Sequence, residues 1–357
     1  MLSFIKEHTN CWDILKDEVR PIYLYGMGDG ADKILSVFEQ YGIKASGVFA
    51  SDDFVRGQSF HEFKVQKLSE IEAICNDFVV VLAFAVCRQP TYDSILELSK
   101  KHTLYVPDVP VFPDGTLFTY EYCIEHQKDI DTVYSMLADE TSKKTFADVI
   151  NYKISGNFRY LLDYTSTDEV FTNLIRLSND EVYVDLGAYN GDTILEFLKY
   201  SKGEYKKIIG LEPNAKNFKR LCKNTKDVKS LEVYNYASWD TQTTLEFSSG
   251  SGRMSTVNSG NATKVQEVQA IAVDTLFDGS KDMPTLLKLD VEGADRQAIL
   301  GCKHIIENGS RVITALYHRN QDLFYIPLLI HSINPKLKLY IRKQMYIPAW
   351  EVNLYCI

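Results

Sequence analysis

Five apolar runs in the C-terminal half of the chain end on residues able to do chemistry. "EVYVDLGAYNGDT" delivers Asp185, Gly187, Ala188, Asn190, Gly191 and Thr193, and "KIIGLEPN" delivers Glu212, Pro213 and Asn214. "LEVYNYAS" ends on Ala237 and Ser238, "TLLKLDVEG" carries Lys288, Asp290 and Glu292, and "RVITALYH" ends on His318. Acids can answer a cationic or hydroxylated ligand, and histidine titrates near neutrality, where it can move a proton. Each piece also has an ordinary structural reading. Asp185 before a glycine turn could cap a helix, Glu212-Pro213-Asn214 could be a plain turn, and a lone His318 could be a satisfied core histidine. Their recurrence at successive strand ends is the signal.

The elements that must position them read as alternating strands and helices from Glu181 onward. The series closes with "KLKLYIRKQ" and "EVNLYCI", two strands joined by a short Pro-containing link and hence an antiparallel pair. In open α/β sheets ligands collect at the carboxyl ends of strands, near the switch in strand order. Five crossover strands finished by a hairpin is the plan of class I methyltransferases, a seven-stranded sheet with one antiparallel strand. With S-adenosyl-L-methionine as ligand each position has a task. Asp185 or Asp290 supplies a counter-charge to the ammonium. Gly187 and Gly191 admit the backbone close to the ligand, and the helix start near Thr193 offers free N–H groups to the carboxylate. Glu212 accepts the ribose hydroxyls, while Ala237 and Ser238 leave room for adenine. The long small-residue loop "SSGSGRMSTVNSGN" reads either as a loose connection or as an acceptor loop through Arg253 and Ser255. Lys288 is a further candidate for acceptor binding.

A second glycine turn lies far upstream. "PIYLYGMGDGADKI" holds Gly26-x-Gly28-x-x-Ala31, with Asp52 after the next strand, close to the spacing of a dinucleotide fingerprint. The strands around it, including the continuous "FVVVLAF", predict a small Rossmann-like parallel sheet covered on both faces. Pro and Asp in "PDVPVFPDG" break that series, and helical text follows. The expected division is an accessory Rossmann-like domain over 1–112, a helical connector over 113–165 and a class I methyltransferase domain over 166–357. The competing reading is an NAD- or nucleotide-sugar-binding protein that uses the first domain. That domain could also build a homodimer.

Composition narrows the field. The chain has 357 residues and a formal charge of −9, which disfavours nucleic acid as the main partner. The N-terminus is charged throughout, unlike a signal peptide, and the longest apolar run, Phe78 to Cys87, is too short to span a bilayer. Seven scattered cysteines without a Cys-x-x-Cys pair predict reduced thiols and a cytoplasmic location.

"VYVDLGAYNGDT", "IIGLEPNAKNFKRL", "LLKLDVEGADRQAILG" and "ALYHRNQDLFYIPLLIHSINP" resemble the FkbM family of S-adenosylmethionine-dependent methyltransferases over residues 130 to 357, and the Lys-x-Asp-x-Glu-Gly block is the most specific mark. "SMLADETSKKTF" resembles a segment of members that carry an extra N-terminal domain. The resemblance implies O-methylation of sugars or other small hydroxylated metabolites. By position, Asp185, Gly187, Glu212 and Ala237 would line the cofactor, and Asp290 and Glu292 would lie between cofactor and acceptor. Asp295 departs from the family's usual glutamate, and "YIRKQ" from its usual Arg-His pair. The expected mechanism is in-line transfer with His318 as base and Asp290 and Glu292 orienting the acceptor. Asp290 and Glu292 could instead hold a divalent ion, but no third ligand is apparent, and no metal is expected.

Overall fold

Val79–Leu82 is buried along its whole length, and so is Val182–Leu186, Asp185 included. Strands buried on every residue must be covered on both faces, and each of these runs is an interior strand with a parallel neighbour on either side. The computed structural model describes residues 2–112, 115–249, 255–257 and 265–357. The chain forms two compact units. The first comprises Met1–Asp131, Lys143–Tyr164 and Lys343–Glu351, and the second Thr132–Ser142, Thr165–Arg342 and Val352–Ile357.

In the first unit the strands are β1 (Ile22–Tyr25), β2 (Gly47–Ala50), β3 (Ser59–Phe60), β4 (Phe63–Lys64), β5 (Gln66–Lys67), β6 (Val79–Leu82) and β7 (Thr103–Tyr105). Five of them make a parallel sheet in the order β5-β2-β1-β6-β7, and β3 pairs with β4. Ala31, Ile34, Val37 and Phe38 of the helix Asp29–Tyr41 pack on Leu24, Val48 and Val81, giving the expected parallel Rossmann-like sheet its core. Fully burying one such side chain contributes about 1.5–3 kcal/mol.

The second unit holds β8 (Val182–Leu186), β9 (Lys207–Leu211), β10 (Leu231–Tyr234), β11 (Ala237–Ser238), β12 (Thr243–Ser249), β13 (Ser255–Val257), β14 (Val265–Ile271), β15 (Leu286–Leu289), β16 (Arg311–Ala315), β17 (Leu339–Lys343) and β18 (Val352–Cys356). Its main sheet has seven strands in the order β10-β9-β8-β15-β16-β18-β17. The pairs from β10 through β16 are parallel, and β18 runs antiparallel to β16 between it and β17. This is the class I methyltransferase plan expected from the sequence. β11 belongs to a separate four-stranded sheet, β11-β14-β12-β13.

The segment Leu137–Ser142, within the stretch read as connector, pairs with the end of the main sheet. Ala138 donates its N–H to the Leu339 carbonyl at 2.9 Å, and the Ile341 N–H donates to Ser142 Oγ at 3.0 Å. Arg342 then grips Asp139 through two nitrogens, at 2.6 and 3.2 Å. No helix among the described residues is long and apolar enough to cross a membrane.

Candidate functional site

β8, β15 and β16 are adjacent and parallel, so their carboxyl ends reach one edge of the sheet together. Asp185 pairs in register with Lys288, and their side chains meet at 3.5 Å. The Lys288 ammonium is also 3.9 Å from Asp290. It therefore serves as the shared counter-charge of two carboxylates, a position the sequence had offered as an acceptor contact. Asp185 is fully buried and accepts a hydrogen bond from the Thr193 hydroxyl. Burial raises its carboxyl above the ordinary value, against the pull of Lys288 and Thr193. At Asp290 burial also pushes upward, but Lys288 and then His318 outweigh it and hold the group well below the usual carboxylate range.

His318 follows β16 and its side chain is 1 % exposed. Its Nδ1 lies 3.0 Å from Asp295 Oδ2, while Nε2 faces Asp290 at 3.2 Å and Glu292 at 3.7 Å. Burial would lower the imidazole's pKa, but Asp295 and Asp290 outweigh it and raise the group well above its ordinary value. The expected titration near neutrality is thus displaced, because carboxylates on both sides hold a proton on the ring. Glu292 sits at φ +53° with 39 % of its side chain exposed. Burial pushes it up to about 7, with Asp290 and Asp295 adding to the rise and His318 opposing it. Asp322, buried at the start of the helix Asp322–Ile333, is also pushed up to about 7, by burial first and then by Asp295.

Asp295 and Asp322 had not been singled out as site residues. Asp295 was visible only as a departure from a family pattern, and Asp322 reaches the site from a helix that no strand-end rule covers. Asp295, His318 and Asp322 bring donor atoms within 4.8 Å of one another. Two of the three are already joined by the Nδ1–H···Oδ2 hydrogen bond, and we read the group as a hydrogen-bonded cluster.

The glycines answer to packing. Gly187, at φ +83°, has the Asp290 carbonyl oxygen 2.0 Å from where a Cβ would lie, and Gly191, at φ +90°, has Thr225 Cγ2 at 2.7 Å. Close approach of the chain to itself already requires a glycine at both positions. The helix start is also occupied: Thr193 N–H donates to Asp192 Oδ1 at 3.0 Å, and Asp192 N–H to Asn190 Oδ1 at 3.1 Å. Ala188 is buried and donates its N–H to the Leu211 carbonyl.

Glu212 follows β9 and is 5 % exposed. Its two oxygens accept the N–H groups of Tyr189 (2.9 Å) and Asn214 (2.8 Å). Burial pushes its carboxyl up to about 7 against those bonds. Asn214 caps the helix Ala215–Asn224 by accepting from Lys216 and Asn217, and the Pro213 carbonyl accepts from Asn235. Ala237 and Ser238 are both buried in β11. Arg253 lies outside the described residues, as does the side chain of Ser255.

In the first unit, a Cβ on Gly26 would meet Phe84 at 2.6 Å and one on Gly30 the Ala83 carbonyl at 2.4 Å, so packing accounts for these glycines too. Ala31 is fully buried, and Asp52 is exposed in a short 3-10 turn.

A methyltransferase FkbM from Methylobacillus flagellatus KT is similar over 95 % of this chain and 90 % of its own, with TM-score 0.73 and 17 % identity, which speaks for the fold. An rRNA methylase from Streptococcus thermophilus (10 % identity, 50 % of this chain and 87 % of that one) gives a TM-score of 0.32. Fibrillarin from Aeropyrum pernix, in complex with natively bound S-adenosyl-L-methionine (10 % identity, 53 % and 72 %), also gives 0.32. Both are too distant to carry an argument. No curated protein matches the chain. The family model described as "Methyltransferase FkbM domain" matches residues 185–333, the stretch that runs from Asp185 through Asp290 and His318. With strand order and family model in agreement, residues 185–333 of this chain are a methyltransferase FkbM domain.

Proposed function

We propose that this domain binds S-adenosyl-L-methionine and methylates a hydroxyl of a sugar, nucleotide-sugar or similar small metabolite. One observation carries the reading. Asp185 Oδ1, Asp290 Oδ1 and His318 Nε2 are buried at the ends of three adjacent strands; Asp290 Oδ1 and His318 Nε2 face each other at 3.2 Å and Asp185 Oδ1 is 3.5 Å from Lys288, but none makes a well-formed hydrogen bond among the described residues. Buried polar atoms are normally satisfied, and this under-satisfied group at one sheet edge fits a polar ligand that completes it. The buried Ser238 Oγ, likewise unpartnered, fits the same ligand. Glu212 accepts the Tyr189 and Asn214 N–H groups on separate oxygens and a bond from the Asn217 side chain, and its four lone pairs leave room for a ribose hydroxyl.

When bound, the cofactor supplies a methyl group on a cationic sulfur. The chain's own part is to hold the acceptor oxygen in line, which can be worth about 7–11 kcal/mol, and to take its proton. His318, expected from sequence as the base, is closed in by carboxylates that keep it protonated. We therefore assign the proton to Glu292, the more exposed of the two carboxylates facing Nε2 and the one whose carboxyl is raised rather than lowered, with His318 as the fixed cation beside it. An oxygen acceptor follows the FkbM resemblance, and the charge of −9 suits a small molecule better than RNA.

Calorimetric titration with S-adenosyl-L-methionine and S-adenosylhomocysteine tests the reading. Binding of both is expected, and D185N and E212Q should each weaken it by about tenfold or more, roughly 1.4 kcal/mol. Absence of binding, or binding indifferent to both substitutions, would sink it. A screen of hydroxylated acceptors with labelled methyl donor then sorts the substrate class. The accessory role of the first unit, including nucleotide binding or dimer formation, is tested by NADH titration and by sedimentation.

A further inference from the structure

His318 meets carboxylates through both ring nitrogens, and the one at Nδ1 differs from the rest. Asp295 is 1 % exposed and opens the helix Asp295–Leu300. Both of its oxygens are engaged. Oδ2 lies 3.0 Å from His318 Nδ1 and accepts the Gly293 N–H at 3.2 Å, while Oδ1 accepts the Val291 N–H at 3.4 Å. Those two amides belong to the turn between Asp290 and Asp295, the turn in which Glu292 stands at positive φ. One carboxylate therefore holds the imidazole and the turn that faces it.

We propose that Asp295 is a positioning residue for the proton-accepting group: it fixes the ring of His318 with the Nδ1 proton donated to it, presents a protonated Nε2 to Asp290 and Glu292, and clamps the turn that carries them. Which nitrogen of a histidine is presented is set by the hydrogen bond the other one makes. A buried imidazolium also needs a paired carboxylate to offset its lost hydration. The ionisable groups around the ring are Asp290 and Glu292 from the turn after β15, Asp295 from its helix, Asp322 from the helix Asp322–Ile333 and Tyr317, which lies against the ring and bonds Asp290, with Lys288 of β15 also against Asp290. Among the carboxylates, Asp295 alone bonds both the ring and the turn's backbone. The consequence for turnover rests on the methyl-transfer reading above, whereas the state of the ring does not.

The test follows the imidazole itself by NMR of the full chain with isotope-labelled histidine, with H318Q identifying the resonance among seven histidines. In the wild type both ring nitrogens of His318 should carry protons at pH 7. In D295N its titration midpoint should move to lower pH, and D295E should restore it. A neutral His318 ring in the wild type at pH 7 overturns the proposal without any variant, and so does a D295N titration that matches the wild type. In turnover, D295N should lower kcat by tenfold or more with KM for the methyl donor little changed, and D295E should recover most of it. Equal loss in D295N and D295E, tracking a fall in melting temperature, would mark Asp295 as structural only and overturn the proposal. If the wild type transfers no methyl group while the His318 results hold, the function fails and the positioning stands.

Discussion

The carbonyl oxygen of Asp290 lies 2.0 Å from the point where a Cβ would sit on Gly187, whose φ is +83°. Neither backbone atom can turn away as a flexible side chain would, so the loops after β8 and β15 touch only because position 187 has no side chain. Gly279, at φ +71° in the same unit, has nothing within 4 Å of such a Cβ and isolates the cost of backbone conformation alone. Gly187→Ala should therefore destabilise more than Gly279→Ala, by about 1–3 kcal/mol, the usual range for overpacking. Thermal melting of the two variants side by side checks this. Equal shifts would mean that the loops part freely.

Stability of the ligand-free chain should fall as pH rises from about 5 to 8. Glu212, Glu292 and Asp322 are pushed up to about 7 by burial, from ordinary values of 4.5, 4.5 and 3.8. A carboxyl raised on folding binds more protons in the native state than in the unfolded one. Its stabilisation is complete below the unfolded pKa and is lost as pH climbs through the folded one. His318, raised above its ordinary 6.5, acts in the same direction at the upper end of this window. Melting temperature should decline across the range, and E292Q, fixed in a neutral form, should flatten part of the slope. A profile that rises with pH would contradict the burial of these groups.

The strand-end rule found Asp185, Asp290 and His318 because the mainly apolar runs "VYVDL" and "LLKL" mark buried parallel strands, and the residues ending such strands share an edge. What the rule could not show is the charge state of His318. That depends on Asp295 together with Asp290, and Asp295 arrives from a helix and meets the ring only once β15 and β16 are paired. Gly187 and Gly191, expected from sequence to admit a ligand, are also required by packing, because the Asp290 carbonyl and the Thr225 methyl exclude a Cβ. Asn214 illustrates the ordinary alternative, since its side chain caps a helix. The docking of Leu137–Ser142 on β17 joins residues some 200 positions apart and leaves no periodic trace.

That docking makes Arg342 irreplaceable by lysine. The guanidinium bonds both oxygens of Asp139, at 2.6 and 3.2 Å, and also the Ser142 hydroxyl at 2.7 Å. An ammonium is a point charge and cannot reproduce that fork. Arg342→Lys should speed hydrogen exchange at the Ala138 and Ile341 amides, which bridge the segment to β17, by about tenfold, or roughly 1.4 kcal/mol of local opening. Exchange unchanged at both amides would show that the backbone bonds hold the segment without the ion pair.

Glu292 and His318, the two candidates for the base, leave different pH profiles. Glu292, near 7 and 39 % exposed, should give kcat/KM for the acceptor a limb that rises with pH around neutrality. Glu292→Gln should remove that limb and cost about 10²–10⁴-fold in kcat, the range for a positioned proton acceptor. His318→Gln should cost less and leave a limb, but move it to higher pH, since the cation that favours the Glu292 carboxylate is gone. If His318 is the base after all, the pattern inverts: H318Q abolishes the limb and E292Q keeps it. The donor's own charge provides a control, because both variants should bind S-adenosylhomocysteine, which lacks the cationic sulfur, close to wild-type affinity. A variant that loses this binding has lost the site and says nothing about the proton, so turnover is compared only between chains that pass it.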